Sequence, residues 1–255
     1  MTKRIALIIT TILALLAGCG PAAPTATPIP PAHTAPSTPL PPTAERLIDE
    51  CAEAMGGVDK INALQTMRFA QYLPDHASLS RYEIKRPNLV RLGDILVFDG
   101  ERAAWLTKAE PVPQEEWKDF EVDIAWYVPA FFDYPAEYVG TEIVDGIETQ
   151  KLQVTLSLGA VMTYYLDAQT HLVRKAAAYF TIDGQGYHPE RTYSDYQLVD
   201  GILYPHAFTY EGRNRVDVFT ATMRTIEFNI PLEDERFSVP AAAPPTSAPP
   251  VGADS

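Results

Sequence analysis

The first regular hydrophobic pattern in this chain of 255 residues has helical spacing. Over Ala44–Met55 the apolar residues, among them Leu47 and Cys51, recur every three or four positions, which predicts an amphipathic helix. Gly56 follows directly, and glycine commonly ends a helix because it accepts a positive φ. A second, shorter helix is predicted over residues 58–64.

Farther along, the period changes to two, which predicts half-buried antiparallel strands. In two clear examples the inward-facing residues are Leu152, Val154, Leu156 and Leu158 and, later, Ile226, Phe228 and Ile230. Four Asp-Gly dipeptides separate such stretches, and they begin at Asp99, Asp145, Asp183 and Asp200. Because glycine accepts the positive φ of tight turns, the pattern predicts a meander of hairpins behind an N-terminal helix.

One segment, residues 123–133, departs from this alternation. It is rich in large apolar side chains and is interrupted by Pro129, so we interpret it as a short helix or lid that crosses the sheet. Residues 44–240 contain no internal linker and are long enough for one domain with a sizeable core. A curved sheet with a helical plug has an apolar interior, which either fills with side chains or takes a ligand.

The beginning of the chain has the pattern of an export signal. Lys3 and Arg4 are positive, and residues 5–17 form an apolar run of about thirteen residues, shorter than the ~20 needed to span a bilayer. The run ends in Leu-Ala-Gly-Cys at residues 16–19, which resembles the lipobox of bacterial lipoproteins. That resemblance implies a signal peptide over residues 1–18 and a membrane-tethering lipid on Cys19. The alternative is an ordinary secretory signal that happens to contain a cysteine.

A stalk is predicted over residues 19–43. Nine prolines occur there among Ala, Thr and Ser, a composition that cannot bury a core and favours an extended polyproline II conformation. At about 3.1 Å per residue, such a stalk could hold a domain up to about 75 Å from its anchor. Residues 241–255 have a similar composition and are predicted to be a disordered tail.

The net charge of the chain limits the kinds of partner that it is expected to bind. The chain has 20 basic and 33 acidic residues, and loss of the signal peptide would leave 18 basic ones. This excess of negative charge argues against a nucleic-acid partner, and it means that membrane attachment is expected through the lipid rather than a basic patch. With Cys19 lipidated, Cys51 has no partner for an internal disulfide, and we interpret it as a buried core thiol rather than a reactive one.

Several motifs resemble those of the outer-membrane lipoprotein-sorting superfamily, which includes the periplasmic lipoprotein carrier, its membrane-anchored acceptor and an envelope-stress regulator. Lys-Arg-Pro-Asn-Leu at residues 85–89 follows a strand predicted over residues 79–84 and is similar to the carrier's basic-Arg-Pro-Asn strand. Val-Phe-Asp-Gly at residues 97–100, with Trp105 after it, is similar to the carrier's Asp-Gly-Trp hairpin. Later motifs that resemble this group occupy residues 165–167, 170–175, 193–196 and 199–201, with Pro205.

The resemblance implies an α+β fold: a curved antiparallel half-barrel, or unclosed β-barrel, with an N-terminal helix and a helical lid or plug on the concave face. In this superfamily the concave face holds acyl chains, which need an apolar trough because an unpaired polar group there would cost about 1 to 3 kcal/mol. The candidates for lining the trough and lid are Trp105, Trp126, Tyr127, Phe131 and Phe132. The alternative for all five is plain core packing.

Arg86 matches the arginine of the carrier's motif, which hydrogen-bonds the backbone of the lid helix and sets the balance between closed and ligand-bound forms. The resemblance therefore implies a lid gate at Arg86; the alternative is an exposed arginine with a modest ion pair. The chain departs from the carrier over residues 109–138, and an anchor on Cys19 argues against a diffusing shuttle. The resemblance therefore constrains the fold of this chain better than it constrains its function.

The sequence contains no motif typical of catalysis or of phosphate binding. His76, His171, His188 and His206 are not spaced as a metal pair on one element, and the paired carboxylates lie in loop-like stretches. We therefore expect no enzymatic activity, no catalytic or metal-binding residues and no cofactor.

Two functional hypotheses follow for a lipoprotein anchored outside the cytoplasm, on the outer face of the cytoplasmic membrane or on an outer membrane. In the first, the domain binds a hydrophobic ligand, such as an acyl chain, a lipid or the lipid of a lipoprotein. In the second, it is an envelope sensor or interaction module that contacts another envelope protein. An open apolar trough would favour the first hypothesis, and an empty, well-packed sheet together with an exposed patch for a partner would favour the second.

Overall fold

The structure is a computed structural model, which describes residues 42–74, 77–108, 110–212 and 217–240. The predicted signal peptide, Cys19, all but the last two residues of the predicted stalk, and the tail at residues 241–255 lie outside the described residues, as does His76. The predictions made for those parts of the chain stay predictions.

Helix α1 (Ala44–Met55) has the predicted bounds. The Thr43 hydroxyl oxygen accepts a hydrogen bond from a backbone N–H of the first turn at 3.3 Å and so caps the helix. The helix ends at Gly56, whose φ is 131° and whose close approach to the Gly201 carbonyl leaves no room for a Cβ. Helix α2 (Val58–Ala63) follows and is one residue shorter than predicted.

Most of the remaining described residues form one antiparallel sheet of 14 strands. In chain order the strands are β1 (Thr66–Leu73), β2 (Ser78–Lys85), β3 (Leu89–Leu92), β4 (Leu96–Phe98), β5 (Ala103–Trp105), β6 (Glu110–Pro111), β7 (Ala136–Val144), β8 (Ile147–Thr155), β9 (Val161–Asp167), β10 (Val173–Ile182), β11 (Gln185–Tyr187), β12 (Glu190–Val199), β13 (Ile202–Glu211) and β14 (Val218–Phe228). Their order across the sheet is β6-β5-β4-β3-β2-β1-β14-β13-β12-β10-β9-β8-β7, with β11 paired to β10 off this path. Two meanders, β1 to β6 and β7 to β14, are therefore joined by the pairing of β1 with β14.

Tight turns at the predicted Asp-Gly dipeptides connect neighbouring strands. Asp145, Asp183 and Asp200 have φ angles of 49°, 50° and 49°, and the glycine after each also has a positive φ. Such turns match the twist of the paired strands, and these three predictions are confirmed. Asp99 makes its turn differently, because its Oδ1 accepts hydrogen bonds from the backbone N–H groups two and three residues later, at 3.0 and 2.7 Å.

The predicted alternation runs past the ends of two strands. Leu152 and Val154 are buried on β8 as predicted, whereas Leu156 and Leu158 lie in the turn that follows. Ile230 likewise lies beyond the end of β14. Alternation of apolar and polar residues predicts which side chains face the core. It does not predict where a strand ends, because a strand ends where its backbone no longer pairs with a neighbouring strand.

The two edge strands of the sheet, β6 and β7, are consecutive in the chain, and within the described residues they do not pair with each other. The connection between them therefore has to span the sheet. It contains helix α3 (Trp117–Tyr127), whose buried residues share one core with α1 and with the inner face of the sheet. The predicted α+β half-barrel, with an N-terminal helix and a helix on the concave face, is confirmed.

The core lies mainly between this inner face and the helices. Cys51 has no exposed surface, and burial raises the pKa of its thiol to about 12, so it is the core residue that the sequence predicts. A smaller apolar cluster lies on the outer face and contains Val97, Ala104, Leu232 and Phe237. Among the helices of the described residues, none is long and apolar enough to cross a membrane.

Candidate functional site

The helix that crosses the inner face begins earlier than the sequence pattern predicts. The predicted segment covers residues 123–133, whereas α3 begins at Trp117, and a 3-10 turn at Ala130–Phe132 follows it. The first turn of α3 is only half-buried, so its apolar content does not stand out in the sequence. The helix ends at Tyr127, shortly before Pro129, as expected for a residue that disfavours helix before it. We call α3 and the 3-10 turn together the lid segment.

The five aromatic residues predicted to line a trough and lid all lie where the lid segment meets the sheet. Trp126 and Tyr127 are on α3, and Phe131 and Phe132 are in the 3-10 turn. Phe132 and Trp105 are half-buried, and the other three are buried. Trp105 is on β5, and its ring lies edge-on to a phenylalanine of the first turn of α3, with 6.2 Å between the ring centroids. Their role in lining an acyl-chain site stays a prediction.

Three tyrosine hydroxyls of the sheet donate hydrogen bonds to the last carbonyl groups of α3. The pairs are Tyr164 with Ala125, Tyr193 with Trp126, and Tyr204 with Tyr127, at 2.9, 2.7 and 2.7 Å. The last carbonyls of a helix have no partner within the helix, so these hydroxyls supply the missing donors. We call these three donors the clamp tyrosines. The sequence pattern gives no indication of this role, although each tyrosine occupies an inward-facing position on a strand.

Two further hydrogen bonds extend this contact. The Tyr127 hydroxyl donates to Oε1 of Gln71 on β1 at 2.6 Å. Burial raises the pKa of this hydroxyl to about 12, so it keeps its proton at neutral pH. The Tyr164 hydroxyl also accepts a hydrogen bond from the backbone N–H of Ala130 at 2.8 Å. Tyr164 therefore holds both parts of the lid segment.

Glu121 attaches the side of α3 to the β8–β9 hairpin. One carboxylate oxygen accepts the backbone N–H of Ser157 at 2.8 Å, and the other accepts that of Leu158 at 2.9 Å. Glu121 is 3% exposed. A buried carboxylate needs hydrogen bonds to offset its lost hydration, and these two N–H groups provide them. An acidic residue that looks like surplus surface charge in the sequence is thus a structural contact of the lid segment.

Arg86 contacts both the lid segment and α2. Its Nη2 donates to the carbonyl of Phe132 at 3.2 Å, and its Nη1 donates to the carbonyls of Ile61 and Leu64 at 2.7 Å each. It also forms an ion pair with Asp133 at 2.8 Å. The side chain is 7% exposed, so the alternative of a surface arginine is wrong. The role of Arg86 as a lid gate stays a prediction.

The space beneath the lid segment is filled. The cavity among Met55, Trp126 and the clamp tyrosines has a volume of about 20 Å³, which is room for about one water molecule. A more open cleft of about 590 Å³ lies beside the first turn of α3 and is lined in part by Trp117, Lys118 and Leu158. The conformation is therefore closed, and an acyl chain would fit beneath the lid segment only after that segment moved.

A polar cleft of about 480 Å³ contains Arg68, Glu83 and Arg236. Both arginines donate hydrogen bonds to the Glu83 carboxylate, which is nearly buried. Because this carboxylate already has two cationic partners, we interpret the cleft as an ion-pair network and assign it no ligand.

Within the described part of the chain, no three His, Cys, Asp or Glu side chains are grouped so that they could hold a metal ion. The three described histidines have different neighbours. His171 lies 3.5 Å from the carboxylate of Glu50, the ring of His188 packs near that of Tyr179, and Nδ1 of His206 lies near a backbone carbonyl of its own strand.

We expect Tyr164→Phe to lower the free energy of unfolding by about 2 to 4 kcal/mol, because it leaves a buried carbonyl and a buried N–H of the lid segment without their partner. Urea denaturation followed by circular dichroism measures the change. The control is Tyr165→Phe, which removes a hydroxyl from the opposite face of β9 and should stay within about 0.5 kcal/mol. A loss below about 1 kcal/mol for Tyr164→Phe would mean that this hydroxyl does not hold the lid segment.

No protein-family model matches the sequence, and no match was found among curated proteins. Among solved structures, the chain resembles a LolA superfamily protein from Nitrosomonas europaea, at 16% identity and a TM-score of 0.49, over 78% of this chain and 98% of that one. It also resembles a DUF1329 family protein from Desulfovibrio piger, at 12% identity and a TM-score of 0.48, over 76% and 97% of the two chains. A domain described as an outer membrane lipoprotein-sorting protein, from Vibrio parahaemolyticus, has 12% identity and a TM-score of 0.41, over 76% and 97%. Such low values identify neither a ligand nor a role, and the half-barrel assignment rests on the sheet itself.

Proposed function

We propose that this protein is an extracytoplasmic lipoprotein, tethered to a bacterial membrane through Cys19, which binds a hydrophobic ligand in its half-barrel when the lid segment moves aside. The ligand would be an acyl chain, a lipid or the lipid of a lipoprotein. On this proposal residues 1–18 are a removed signal peptide, residues 19–43 an anchored stalk, residues 44–240 the binding domain and residues 241–255 a tail. The observation that carries the proposal is the contact between the lid segment and the aromatic inner face of the sheet.

The side chain of Tyr127 lies where a ligand would bind. Its ring packs against those of Phe69, Tyr82 and Phe208 on the sheet, with 4.5, 5.2 and 6.4 Å between centroids. If the lid segment moved away, these rings would be exposed as an apolar wall. An acyl chain that covered the wall would gain about 25 cal/mol for each Å² of apolar surface removed from water. Apolar contact with the lid segment would thus be exchanged for apolar contact with a ligand.

The hydrogen bonds of the clamp tyrosines suit a lid segment that opens reversibly. Each contributes only about 1 kcal/mol net, because water can replace either partner after opening. Arg86 would act as the gate at the C-terminal end of the lid segment. Its bonds to Phe132 and Asp133 would break, while its bonds to the carbonyls at the end of α2 would remain. The closed form would therefore be favoured by several modest contacts.

The double variant with Tyr193→Phe and Tyr204→Phe tests whether the lid segment controls access. It keeps both rings but removes two hydroxyls that bond α3, so the closed form loses about 2 kcal/mol and the apparent affinity for a ligand rises about thirtyfold. The affinity is measured by fluorescence titration with N-phenylnaphthylamine, a neutral apolar dye. Native mass spectrometry detects lipid that co-purifies. Both use the mature chain of the proposal, residues 19–255, with Cys19→Ser, so that neither the apolar signal peptide nor a lipid is present and no detergent competes.

Tyr196→Phe is the matched control. The Tyr196 hydroxyl donates to the Val173 carbonyl within the sheet at 2.5 Å and makes no bond to the lid segment. Its removal should leave the affinity for the dye unchanged. A lipid-binding function would be contradicted by one result. Neither the wild type nor the double variant would bind the dye, carry co-purified lipid, or bind added phospholipid or lipopeptide.

A second candidate function is that of an envelope sensor or interaction module. The filled interior, with only about 20 Å³ of space, favours it, because a domain that acts by contact with another envelope protein needs no internal site. The dye titration separates the two candidates. Dye binding that rises in the double tyrosine variant supports the hydrophobic-ligand function, and its absence in both forms leaves the interaction module.

A further inference from the structure

A buried arginine on the inner face has hydrogen-bond donors that the closed conformation leaves unused. Arg191 lies on β12, and only 5% of its surface is exposed. Its Nη2 is 3.2 Å from Oδ1 of Asp123 on α3. Among the described residues, neither its Nε nor its Nη1 has a hydrogen-bond acceptor, although both atoms are buried. Arg191 thus has an incomplete set of partners.

Aromatic rings surround the guanidinium group. Its central carbon lies 4.4 Å from the ring centroid of Phe208, 4.6 Å from that of Tyr127, 5.3 Å from that of Trp126 and 5.6 Å from that of Tyr210. Such rings attract a cation through their faces, and arginine keeps its charge in proteins. Ring faces do not replace an oxygen acceptor for the N–H groups in the guanidinium plane. The arrangement therefore stabilises the charge and leaves the N–H groups of Nε and Nη1 available.

The partners of Arg191 divide between the sheet and the lid segment. Phe208 and Tyr210 are on β13 and would stay, whereas Asp123, Trp126 and Tyr127 are on α3 and would leave with it. Burial raises the pKa of Asp123, and the attraction of Arg191 offsets this rise only in part. Opening would leave a cation at the apolar wall without a counter-ion, which is unfavourable.

We propose that the ligand is an anionic amphiphile, whose carboxylate or phosphate group replaces Asp123 on Arg191 while its acyl chain covers the aromatic wall. This inference rests on the proposed function and names the ligand class. The fork of guanidinium N–H groups matches two oxygens of a carboxylate or phosphate. A neutral or cationic head group would leave the guanidinium unpaired.

Amphiphiles that share one chain and differ in head group test this inference. Dodecanoate and dodecyl phosphate are anionic, dodecanol is neutral, and dodecyltrimethylammonium is cationic. The ionic probes are titrated below their micelle concentrations, and dodecanol below its solubility limit. Each is titrated into residues 19–255 with Cys19→Ser, by isothermal calorimetry. We expect at least one anionic probe to bind about tenfold or more tightly than dodecanol, and the cationic probe to bind most weakly. The ratio between the two anionic probes shows whether carboxylate or phosphate is preferred.

Substitutions on the two sides of the ion pair should act in opposite directions. Arg191→Gln removes the charge that binds the head group, so it should weaken binding of the preferred anionic probe about tenfold without weakening that of dodecanol. Asp123→Asn removes the competing carboxylate from the lid segment and should tighten binding of the same anionic probe. If Arg191 only supported the closed form, both substitutions would favour opening and both would tighten binding.

Arg191→Lys is the second variant if Arg191→Gln fails to fold, since it keeps the charge but loses the fork, and its affinity for the anionic probe should be intermediate. Dodecanol binding as tightly as both anionic probes would overturn this inference and leave the proposed function standing. An Arg191→Gln chain that binds the anionic probe as tightly as the wild type, or more tightly, would also overturn it. Failure of every probe to bind the wild type and the double tyrosine variant would overturn the proposed function as well.

Discussion

Cys19→Ser is expected to abolish lipid attachment and to move the protein from the detergent phase to the aqueous phase when cells are extracted. The lipid is proposed to be attached through the Cys19 sulfur, which serine lacks, and several acyl chains hold a protein at a membrane durably. Cells that express the full chain are grown with an alkyne analogue of palmitate, and the label is detected on the immunoprecipitated protein. We expect label on the wild type and none on the variant.

Cys51→Ser is the matched control, because Cys51 is the other of the two cysteines in the chain. It is buried on α1 and should not be accessible to the lipid-transferring enzyme, so its replacement should leave the label unchanged. Label that persists after Cys19→Ser would place the lipid elsewhere. If the wild-type chain carries no label, the N-terminal segment is better explained as an ordinary secretory signal. The proposal that a lipid on Cys19 tethers the protein would then be wrong.

Arg86→Gln should lower the free energy of unfolding by about 3 kcal/mol or more, because it removes one partner of a buried ion pair and leaves the other unpaired. Asp133, with only 17% of its side chain exposed, would lose its cationic partner. The carbonyls of Ile61 and Leu64 would also lose a charged donor. Urea denaturation, followed by tryptophan fluorescence and circular dichroism, gives the change.

Arg102→Gln is the control for Arg86→Gln. Arg102 forms an ion pair with Asp99 at 3.1 Å but is 58% exposed, so its loss should cost less than about 1 kcal/mol. Equal effects of the two substitutions would mean that Arg86 does not hold the closed structure. The dye titration separates a gate from a structural anchor. Lost stability with tighter dye binding supports a gate, whereas lost stability with unchanged binding indicates that Arg86 mainly anchors α2.

The parts of the fold that the sequence predicted well are those decided by a few neighbouring residues. Helix α1 has its predicted bounds because Thr43 caps its first turn and Gly56 accepts the positive φ that ends it. The turns at Asp145, Asp183 and Asp200 follow from the same local preference for positive φ. The lid segment was recognised by its apolar core around Trp126, but its half-buried first turn was missed.

The candidate site was predicted only in part. Trp126, Tyr127, Phe131 and Phe132 are candidates because large apolar side chains that break a strand pattern are conspicuous. Trp105 and Arg86 are candidates because they lie in motifs that resemble the carrier's, and the roles of all six stay predictions. The clamp tyrosines and Arg191 were missed because an inward-facing tyrosine or arginine has no local signature. Their partners, such as the Ala125 carbonyl and Asp123, come from a helix far away in the sequence.

The sequence by itself determined the local elements: the capped first helix, the alternating strands, the tight turns and an apolar segment that interrupts them. Only the tertiary structure decided that β1 pairs with β14, that β6 and β7 become the opposite edges, and that α3 therefore spans the inner face. It also decided that the interior is closed. The physical reason is the separation along the sequence of the residues that interact. Caps and turns depend on hydrogen bonds and backbone preferences within a few residues. Strand pairing and the fit of a helix in a curved sheet depend instead on register and side-chain volume contributed by both ends of the domain.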